Sequence, residues 1–172
     1  MKEISFRNDV LPLKNELYRL ALRITLNPAE AEDIVQETLI KVWNRRDQWD
    51  TIESIDSFCL TICRNLSLDK MRKMENQNQS LEEADNEAPD HSYSSNPEEQ
   101  AMQQDRISLI RRLIDTLPEK QRSCMQLRDF EGKSYKEIAK ILDVSEEQVK
   151  INIFRARQTI KQKFIDTENY GL

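Results

Sequence analysis

The segment 146–164 carries side chains that are suited to contact with duplex DNA. At about 100° per residue, a helix through this segment turns Val149, Ile153 and Ala156 to one side, which is apolar. Cations, amides and two large apolar side chains cover most of the other side: Lys150, Ile151, Phe154, Arg155, Gln158 and Lys161. In a major groove, cations contact phosphates or guanine edges, and apolar groups contact thymine methyl groups. The pattern therefore predicts a helix that lies in the major groove.

Two capping motifs predict that this helix is the second of a helix-turn-helix pair. Ser134 with Glu137, and Ser145 with Gln148, have the spacing of a capping box, in which side chains satisfy free backbone N–H groups of the first turn. A short helix, a turn of about three residues and a longer helix form a helix-turn-helix unit. Asp143 stands in the turn, where many such units have glycine, and Asp tolerates a left-handed backbone better than most residues. The candidates for contact with duplex DNA are Ser145, Gln148, Lys150, Ile151, Phe154, Arg155 and Gln158.

A different interpretation makes 146–164 an ordinary surface helix of a bundle, with Phe154 packed on a neighbouring element. The charge pattern argues against it. The segment 133–163 holds eight basic and four acidic residues, and most of the basic residues follow the last acidic one. Because capping, turn length and charge all agree, they favour the helix-turn-helix.

Aromatic and basic side chains also occur together in the first half of the chain. This combination suits single-stranded nucleic acid, because bases stack on rings and phosphates contact cations. Trp43 and Phe58 lie on apolar helical stripes and are expected in the core, whereas Trp49 lies in a polar segment, 45–53, that predicts a loop. Trp49 is therefore the better stacking candidate. The polar and basic candidates nearby are Arg64, Asn65, Lys70, Arg72 and Lys73.

The apolar spacing along the chain predicts an all-α protein with two small helical domains. Residues 1–75 contain three amphipathic stripes, and residues 97–172 contain four. Asn27 followed by Pro28 marks the start of the second helix, and Ser54 can cap the third.

The segment between the domains, 76–96, is predicted to be a flexible acidic linker. Residues 76–105 carry eight acidic residues and no basic one, whereas residues 106–172 carry 14 basic and 10 acidic residues. The segment has too few apolar side chains to offset the entropy of ordering it. Its 21 residues would span roughly 25 Å. Asn96 and Pro97 form a cap-plus-proline start for the second domain.

Composition excludes several classes of function. The 172 residues include two glycines, one histidine and three cysteines, and the formal net charge is −5. Two isolated glycines cannot form a phosphate-binding loop. A catalytic triad would depend on His91, which lies in a polar stretch, and the cysteines lack zinc-site spacing. No apolar run approaches a membrane span or a signal peptide core. We therefore expect a cytoplasmic protein with reduced thiols, no cofactor and no enzymatic activity.

Motifs in both halves resemble the extracytoplasmic-function (ECF) sigma factors of the sigma-70 family. The first half carries AEDIVQETLIKVW and SFCLTICRNLSLDKMRK, and the second carries LPEKQRSCMQLRDFEGKSYKEIAKILDVSEEQVKINIFRARQTIKQKF. The resemblance implies that residues 1–75 bind core RNA polymerase and the unwound −10 element, and that residues 97–172 bind the −35 element as duplex. It also implies an anti-sigma factor as a partner, in many family members membrane-bound.

The resemblance also assigns roles to individual residues. The polymerase-binding surface would include Asp33, Gln36 and Glu37, although an acidic helix start by itself only favours the helix dipole. The −10 contacts would come from Trp49, Phe58, Arg64, Asn65 and Arg72, and the −35 contacts from the helix-turn-helix candidates above. Phe58 stands where many relatives have Trp, and Ile151 and Asn152 stand where many have Ser and Arg. These differences leave open which promoter sequence the chain would recognise.

Two other functions fit parts of the chain. A stand-alone helix-turn-helix regulator would bind DNA without polymerase, usually as a dimer, and it would have no use for the first domain. A sigma-like decoy that sequesters another protein would not need a cationic recognition helix.

Overall fold

The structure, a computed structural model, describes residues 3–80 and 98–169, and the side chains of 78–80 and 98–104 are left out of the description. These residues form seven α-helices and no strand, as the sequence predicts. The helices are α1 (Lys14–Thr25), α2 (Pro28–Asn44), α3 (Ile55–Ser80), α4 (Glu98–Asp115), α5 (Glu119–Met125), α6 (Tyr135–Leu142) and α7 (Glu146–Asn169). We call α1 to α3 the first lobe and α4 to α7 the second lobe.

The helix starts predicted in the first lobe are confirmed. Asn27 Oδ1 accepts a hydrogen bond from the backbone N–H of Glu30 at 3.2 Å, and Pro28 is the first residue of α2. Ser54 Oγ accepts one from the N–H of Ser57 at 3.3 Å, at the start of α3. Each cap satisfies a backbone donor that the helix itself leaves free.

The end of α1 has an unusual backbone. Leu26 follows the helix with φ of +59°, and its N–H donates to the carbonyl of Leu22 at 2.8 Å. This left-handed position is one that glycine usually occupies. It turns the chain sharply into α2, so that the two helices pack against each other.

Helix α3 continues further than the sequence predicts. It extends to Ser80, so residues 76–80 of the predicted linker are helical. Adding a residue to an existing helix gains a hydrogen bond without a new nucleus, and a polar sequence is compatible with a solvent-exposed helix end. The remainder of the predicted linker, and the expected start at Asn96 and Pro97, lie outside the described residues.

Four short helical segments join the long ones. They are Phe6–Val10, Leu11–Leu13, Arg46–Thr51 and Gln126–Phe130. The prediction of a loop over 45–53 is wrong, because Arg46–Thr51 is a 3-10 helix that folds back onto α2.

The second lobe contains the predicted helix-turn-helix, formed by α6 and α7. Ser134 Oγ caps α6 by accepting from the N–H of Glu137 at 3.1 Å. Asp143, between the helices, has φ of +54°, the left-handed conformation expected for it. Ile138 of α6 packs fully buried with Val149 and Ile153 of α7, which fixes the angle between the two helices.

The two lobes are docked on each other. Helices α1 and α3 contact α5 and α6, and one apolar core continues across the contact. It includes Leu17, Leu20, Cys59 and Cys63 from the first lobe together with Cys124, Leu127, Ile138 and Ile141 from the second. The sequence made no prediction for this placement.

Candidate nucleic-acid interface

The start of α7 is held by a complete capping box. Ser145 Oγ accepts from the N–H of Gln148 at 3.1 Å, and Gln148 Oε1 accepts from the N–H of Ser145 at 3.2 Å. Both reciprocal hydrogen bonds of the capping box predicted for Ser145 and Gln148 are therefore present. Both side chains remain exposed, so the same residues that fix the helix also lie on its outer surface.

The outer face of α7 is apolar and cationic, and its large side chains are exposed. Ile151 is 47% exposed and Phe154 is 61% exposed, whereas Val149, Ile153 and Ala156 on the opposite face are at most 2% exposed. The interpretation in which Phe154 packs on a neighbouring element is therefore wrong. The seven residues predicted to contact duplex DNA are all exposed: Ser145, Gln148, Lys150, Ile151, Phe154, Arg155 and Gln158.

The cations around α7 differ in how they are neutralised. Arg157 forms a two-bonded ion pair with Asp129, and this hydrogen bonding raises the pKa of Arg157. Arg155 makes no ion pair with any described residue. Lys150 Nζ lies 5.5 Å from the centre of the Tyr135 ring, and Arg128 Cζ lies 4.4 Å from the same ring. Unpaired positive charge is therefore concentrated on the outer side of the helix-turn-helix.

The two tryptophans of the first lobe have the opposite exposures to those expected. Trp49 is only 8% exposed, and its indole Nε1–H donates to the carbonyl of Val42 at 3.1 Å. Trp43 is 46% exposed, with Arg46 stacked 4.6 Å from its ring and Phe6 at its edge. The expectation of an exposed Trp49 and a buried Trp43 is thus wrong.

The reason for the reversal lies in local geometry. Trp43 follows the buried Val42 by one residue, about 100° round α2, and so points away from the core. Trp49 is carried back over α2 by the short helix Arg46–Thr51. The helical phase of α2 could have predicted that Trp43 is exposed. No local signal in the sequence predicted that Trp49 is buried.

The other −10 candidates lie along α3 and are only partly accessible. Asn65 and Arg72 are exposed, and Phe58 is half-buried. Arg64 is only 7% exposed, because α5 of the second lobe covers it, and its Nη2 lies 3.4 Å from Glu119 Oε2. Arg64 Nε is buried without a hydrogen-bond partner among the described residues. In this arrangement of the lobes, Arg64 does not face solvent.

The acidic face of α2 is exposed and partly balanced by α3. Asp33, Gln36 and Glu37 all lie on the surface. Lys70 Nζ lies 2.7 Å from Glu30 and 3.8 Å from Asp33, and the hydrogen bond to Glu30 raises the pKa of Lys70. Glu37 forms no ion pair with a described residue.

Ion pairs that the sequence did not reveal join the two lobes. Arg19 pairs with Glu131, with Nη2 and Oε2 2.8 Å apart, and Arg23 Nη1 lies 2.9 Å from Asp115. Three further cations pair across the contact: Arg64 with Glu119, Lys133 with Glu16 and Asp56, and Lys140 with Glu53. These partners are far apart in sequence, so no spacing rule could have connected them.

A buried guanidinium also crosses the contact. Arg122 of α5 donates from Nη2 to the carbonyl of Ile24 at 3.1 Å and from Nη1 to the carbonyl of Leu117 at 3.0 Å. Burial lowers the pKa of Arg122. The hydrogen bond to Ile24 satisfies a carbonyl near the end of α1, where the helix leaves carbonyls free.

The three cysteines are buried and form no disulfide bond. Burial raises the pKa of Cys59, Cys63 and Cys124 to about 12, which leaves the thiols protonated and unreactive. Within 3–80 and 98–169, no group of three or more His, Cys, Asp or Glu residues could hold a metal ion. None of the helices in the same ranges is both long and apolar enough to cross a membrane.

Comparison with known proteins identifies the family. The family model for sigma-70 region 2 matches residues 10–77, and that for sigma-70, region 4 matches residues 107–160. The ECF RNA polymerase sigma factor SigL of Mycobacterium tuberculosis is 30% identical over 146 residues, which are 84% of this chain and 80% of SigL. The chain belongs to the ECF sigma factors. As a sigma factor, it directs transcription initiation at promoters, and the family it belongs to is not a family of enzymes.

Two further proteins are similar to this chain, one in sequence and one in fold. The probable RNA polymerase sigma factor RfaY of Xanthomonas campestris is 30% identical over 91% of this sigma factor, which spans 39% of RfaY. The sigma factor RpoE of Bartonella quintana, solved in complex with the anti-sigma factor NepR, has the same fold, with a TM-score of 0.72. RpoE is 24% identical, and the match covers 91% of this chain and 94% of that one.

Proposed function

We propose that the chain acts in the cytoplasm, where it binds core RNA polymerase and places its lobes on the two elements of a promoter. The second lobe binds the −35 element as duplex DNA, and the first lobe binds the unwound −10 element. The observation that supports this most directly is the outer face of α7, where Ile151 and Phe154 are exposed beside Lys150 and Arg155. A solvated surface helix has no use for two large apolar side chains among cations, whereas a major groove accommodates both kinds of group.

Contact with the −10 element requires the lobes to separate. Arg64 is covered by α5, and its Nε lacks a partner in the docked arrangement. A buried donor without a partner carries a desolvation cost, which a phosphate of the melted strand would remove. Lys133 and Lys140 of the second lobe also form ion pairs with carboxylates of the first lobe. Polymerase would hold the separated lobes at a fixed distance, so that two weak DNA contacts act as one strong contact.

Polymerase binding is assigned to the exposed face of α2 that carries Asp33, Gln36 and Glu37. Reversing charge at an interface mainly reduces the rate and strength of association. The double variant Asp33→Arg/Glu37→Arg is therefore expected to compete poorly for core enzyme. Its matched control is Asp166→Arg/Glu168→Arg, which makes the same change of charge near the far end of α7. Equal competition by wild type and the first variant would contradict this assignment.

An anti-sigma factor is proposed as a further partner. RpoE, whose fold this chain shares, was solved with the anti-sigma factor NepR. In the docked arrangement Arg64 is buried, and the lysines at the contact between the lobes are ion-paired. A protein that holds the lobes together would keep the chain from promoters.

Run-off transcription with core polymerase on genomic fragments tests the proposed function. The wild-type chain is expected to direct transcripts from a subset of fragments. Arg155→Ala should lose this selection while it still binds core enzyme, because Arg155 is exposed and makes no ion pair with a described residue. Arg106→Ala, an exposed arginine of α4, is the control and should behave as wild type. A chain that binds DNA as a dimer and ignores polymerase would instead be a stand-alone regulator.

A further inference from the structure

A continuous polar network joins α1 of the first lobe to the second lobe. Arg23 donates from Nε to Oε1 of Gln126 at 3.1 Å and from Nη1 to Oδ1 of Asp115 at 2.9 Å. The amide of Gln126, which is almost fully buried, donates in turn to Glu131 at 3.1 Å. Glu131 also accepts from Nη2 of Arg19 at 2.8 Å. Two arginines of α1 are therefore linked to three polar side chains of the facing lobe.

This network fixes one arrangement of the lobes. Arg19 and Arg23 lie four positions apart, on one face of α1. Hydrogen bonds require a narrow range of distances and angles, and a buried polar group that loses its partner carries a desolvation cost. A shifted arrangement of the lobes would leave Gln126 and Glu131 unpaired. The contact between the lobes is therefore specific, which an apolar contact alone would not be.

The docked arrangement covers part of one proposed binding surface and leaves two others open. On α3, which is assigned to the −10 strand, α5 buries Arg64, and α6 packs on the same helix. Asn65 and Arg72 stay exposed, so an unwound strand could contact only part of this surface. The acidic face of α2 and the outer face of α7 are exposed. Docking therefore acts on the −10 contact and not on the other two.

We propose that the −10 surface of the free chain is self-occluded by its own second lobe, which the network on α1 holds in place without a second protein. The inference rests on the proposed function and adds a regulatory step to it. The faces on α2 and α7 are available first, for polymerase and for duplex DNA. The −10 surface becomes available only when the lobes separate.

The expected strength of this effect follows from the population of the open chain. A minor conformation of a two-state protein is populated at about 0.1–10%. The apparent affinity for a ligand of that conformation is reduced by the populated fraction. The docked chain should therefore bind the unwound strand about 10- to 1000-fold more weakly than a chain whose lobes are separated.

Two charge reversals break the network from opposite sides. Arg23→Glu places a second carboxylate beside Asp115, and Asp115→Arg places a second guanidinium beside Arg23. The first variant makes the chain more negative and the second makes it less negative, so net charge alone would change their affinities for DNA in opposite directions. The exchanged variant Arg23→Glu/Asp115→Arg has the wild-type net charge and forms the pair again.

Fluorescence anisotropy with the full chain and two probes, at low ionic strength, tests the proposal. Both probes come from a promoter fragment that supports run-off transcription, whose transcript defines the start site. One is the non-template single strand across the −10 element, and the other is the duplex of the −35 element. We expect both single variants to bind the single strand about tenfold or more tightly than wild type. The exchanged variant should bind it as wild type does.

The duplex probe is the matched control. The outer face of α7 is exposed in the docked chain, so separation of the lobes should not change its affinity. Arg23→Glu and Asp115→Arg should therefore differ from wild type only by the opposite effects of their charge. Small-angle X-ray scattering should show a larger radius of gyration for both single variants and the wild-type radius for the exchanged variant.

Single variants that bind the single strand no more tightly than wild type would overturn the self-occlusion. Affinities for the single strand that merely follow net charge would also overturn it, and so would single variants with the wild-type radius of gyration. These results leave the proposed function intact, because polymerase with the wild-type chain would still select the fragment. A wild-type chain that selects no fragment would instead overturn the proposed function, and the self-occlusion with it.

Discussion

Arg19 and Glu131, which are 112 positions apart in sequence, form a two-bonded ion pair across the contact between the lobes. The carboxylate is almost fully buried, whereas the arginine is half exposed. The hydrogen bonding to Glu131 raises the pKa of Arg19. Two parallel N–H···O bonds fix an angle as well as a distance, so this pair orients the second lobe on the first.

Reversing one charge of this pair is expected to open the chain. Arg19→Glu places two carboxylates together at the lobe contact, and the repulsion should raise the radius of gyration measured by small-angle X-ray scattering. The exchanged double variant, Arg19→Glu/Glu131→Arg, should restore the wild-type radius because the pair is formed again with its charges exchanged. Single and double variants with the same radius would show that the pair does not hold the lobes.

The two tryptophans are expected to differ sharply in their effect on stability. Trp49→Ala removes a buried ring that donates to the carbonyl of Val42, and it should lower the free energy of unfolding by about 3–5 kcal/mol. Trp43→Ala removes a ring that is 46% exposed and should cost much less. Urea denaturation followed by circular dichroism measures both. Similar midpoints for the two variants would contradict the assignment of Trp49 to the core.

Leu26 is a position where glycine should stabilise the protein. Its φ of +59° is unfavourable for a residue with a side chain, and Leu26 is 44% exposed, so its removal would lose only part of the apolar burial of a core leucine. Leu26→Gly is therefore expected to raise the free energy of unfolding by about 1 kcal/mol. Asp143→Gly, at φ of +54°, should gain less, because Asp tolerates this conformation better than Leu. A lower thermal midpoint for Leu26→Gly would contradict the interpretation.

The buried thiols predict a loss of stability at high pH. Burial raises the pKa of Cys59, Cys63 and Cys124 to about 12 from a usual value of 9.0. Above pH 9.0 the unfolded chain releases these protons while the folded chain retains them, so the free energy of unfolding falls as pH rises from 9.0 towards 12. Well below pH 9.0 the thiols are protonated in both states and contribute no pH dependence.

Urea denaturation at a series of alkaline pH values measures this loss. The triple variant Cys59→Ala/Cys63→Ala/Cys124→Ala should show a flatter dependence on pH than wild type. At pH 8, a thiol reagent should label the native protein slowly and the urea-unfolded protein at three positions. Rapid labelling of the native protein would show that the thiols are accessible.

Much of the fold follows from local signals that the sequence carries. The caps at Asn27, Ser54, Ser134 and Ser145 lie within three residues of the N–H groups that they satisfy, so spacing alone predicts them. The left-handed turn at Asp143 is similarly local. The exposed face of α7 followed from helical phase alone.

The features that the sequence did not predict depend on distant contacts. Trp49 is buried because a short helix folds back onto α2, and Arg64 is buried because α5 covers it. The ring of Tyr135 and the cations near it, Arg128 and Lys150, come from three segments and meet only after the lobe is folded. Amphipathic patterns show which side of a helix is apolar, but they do not show which element will cover it.

The ion pairs between the lobes also bear on how much of this protein is free in a cell. The chromosome is a large excess of polyanion, and basic proteins are adsorbed on it without regard to sequence. Here four cations already form ion pairs with carboxylates of the facing lobe: Arg19, Arg23, Lys133 and Lys140. The net charge of the whole chain is also negative. We expect newly made molecules to remain unadsorbed, so that the supply reaching polymerase follows the rate of synthesis rather than the amount of bulk DNA.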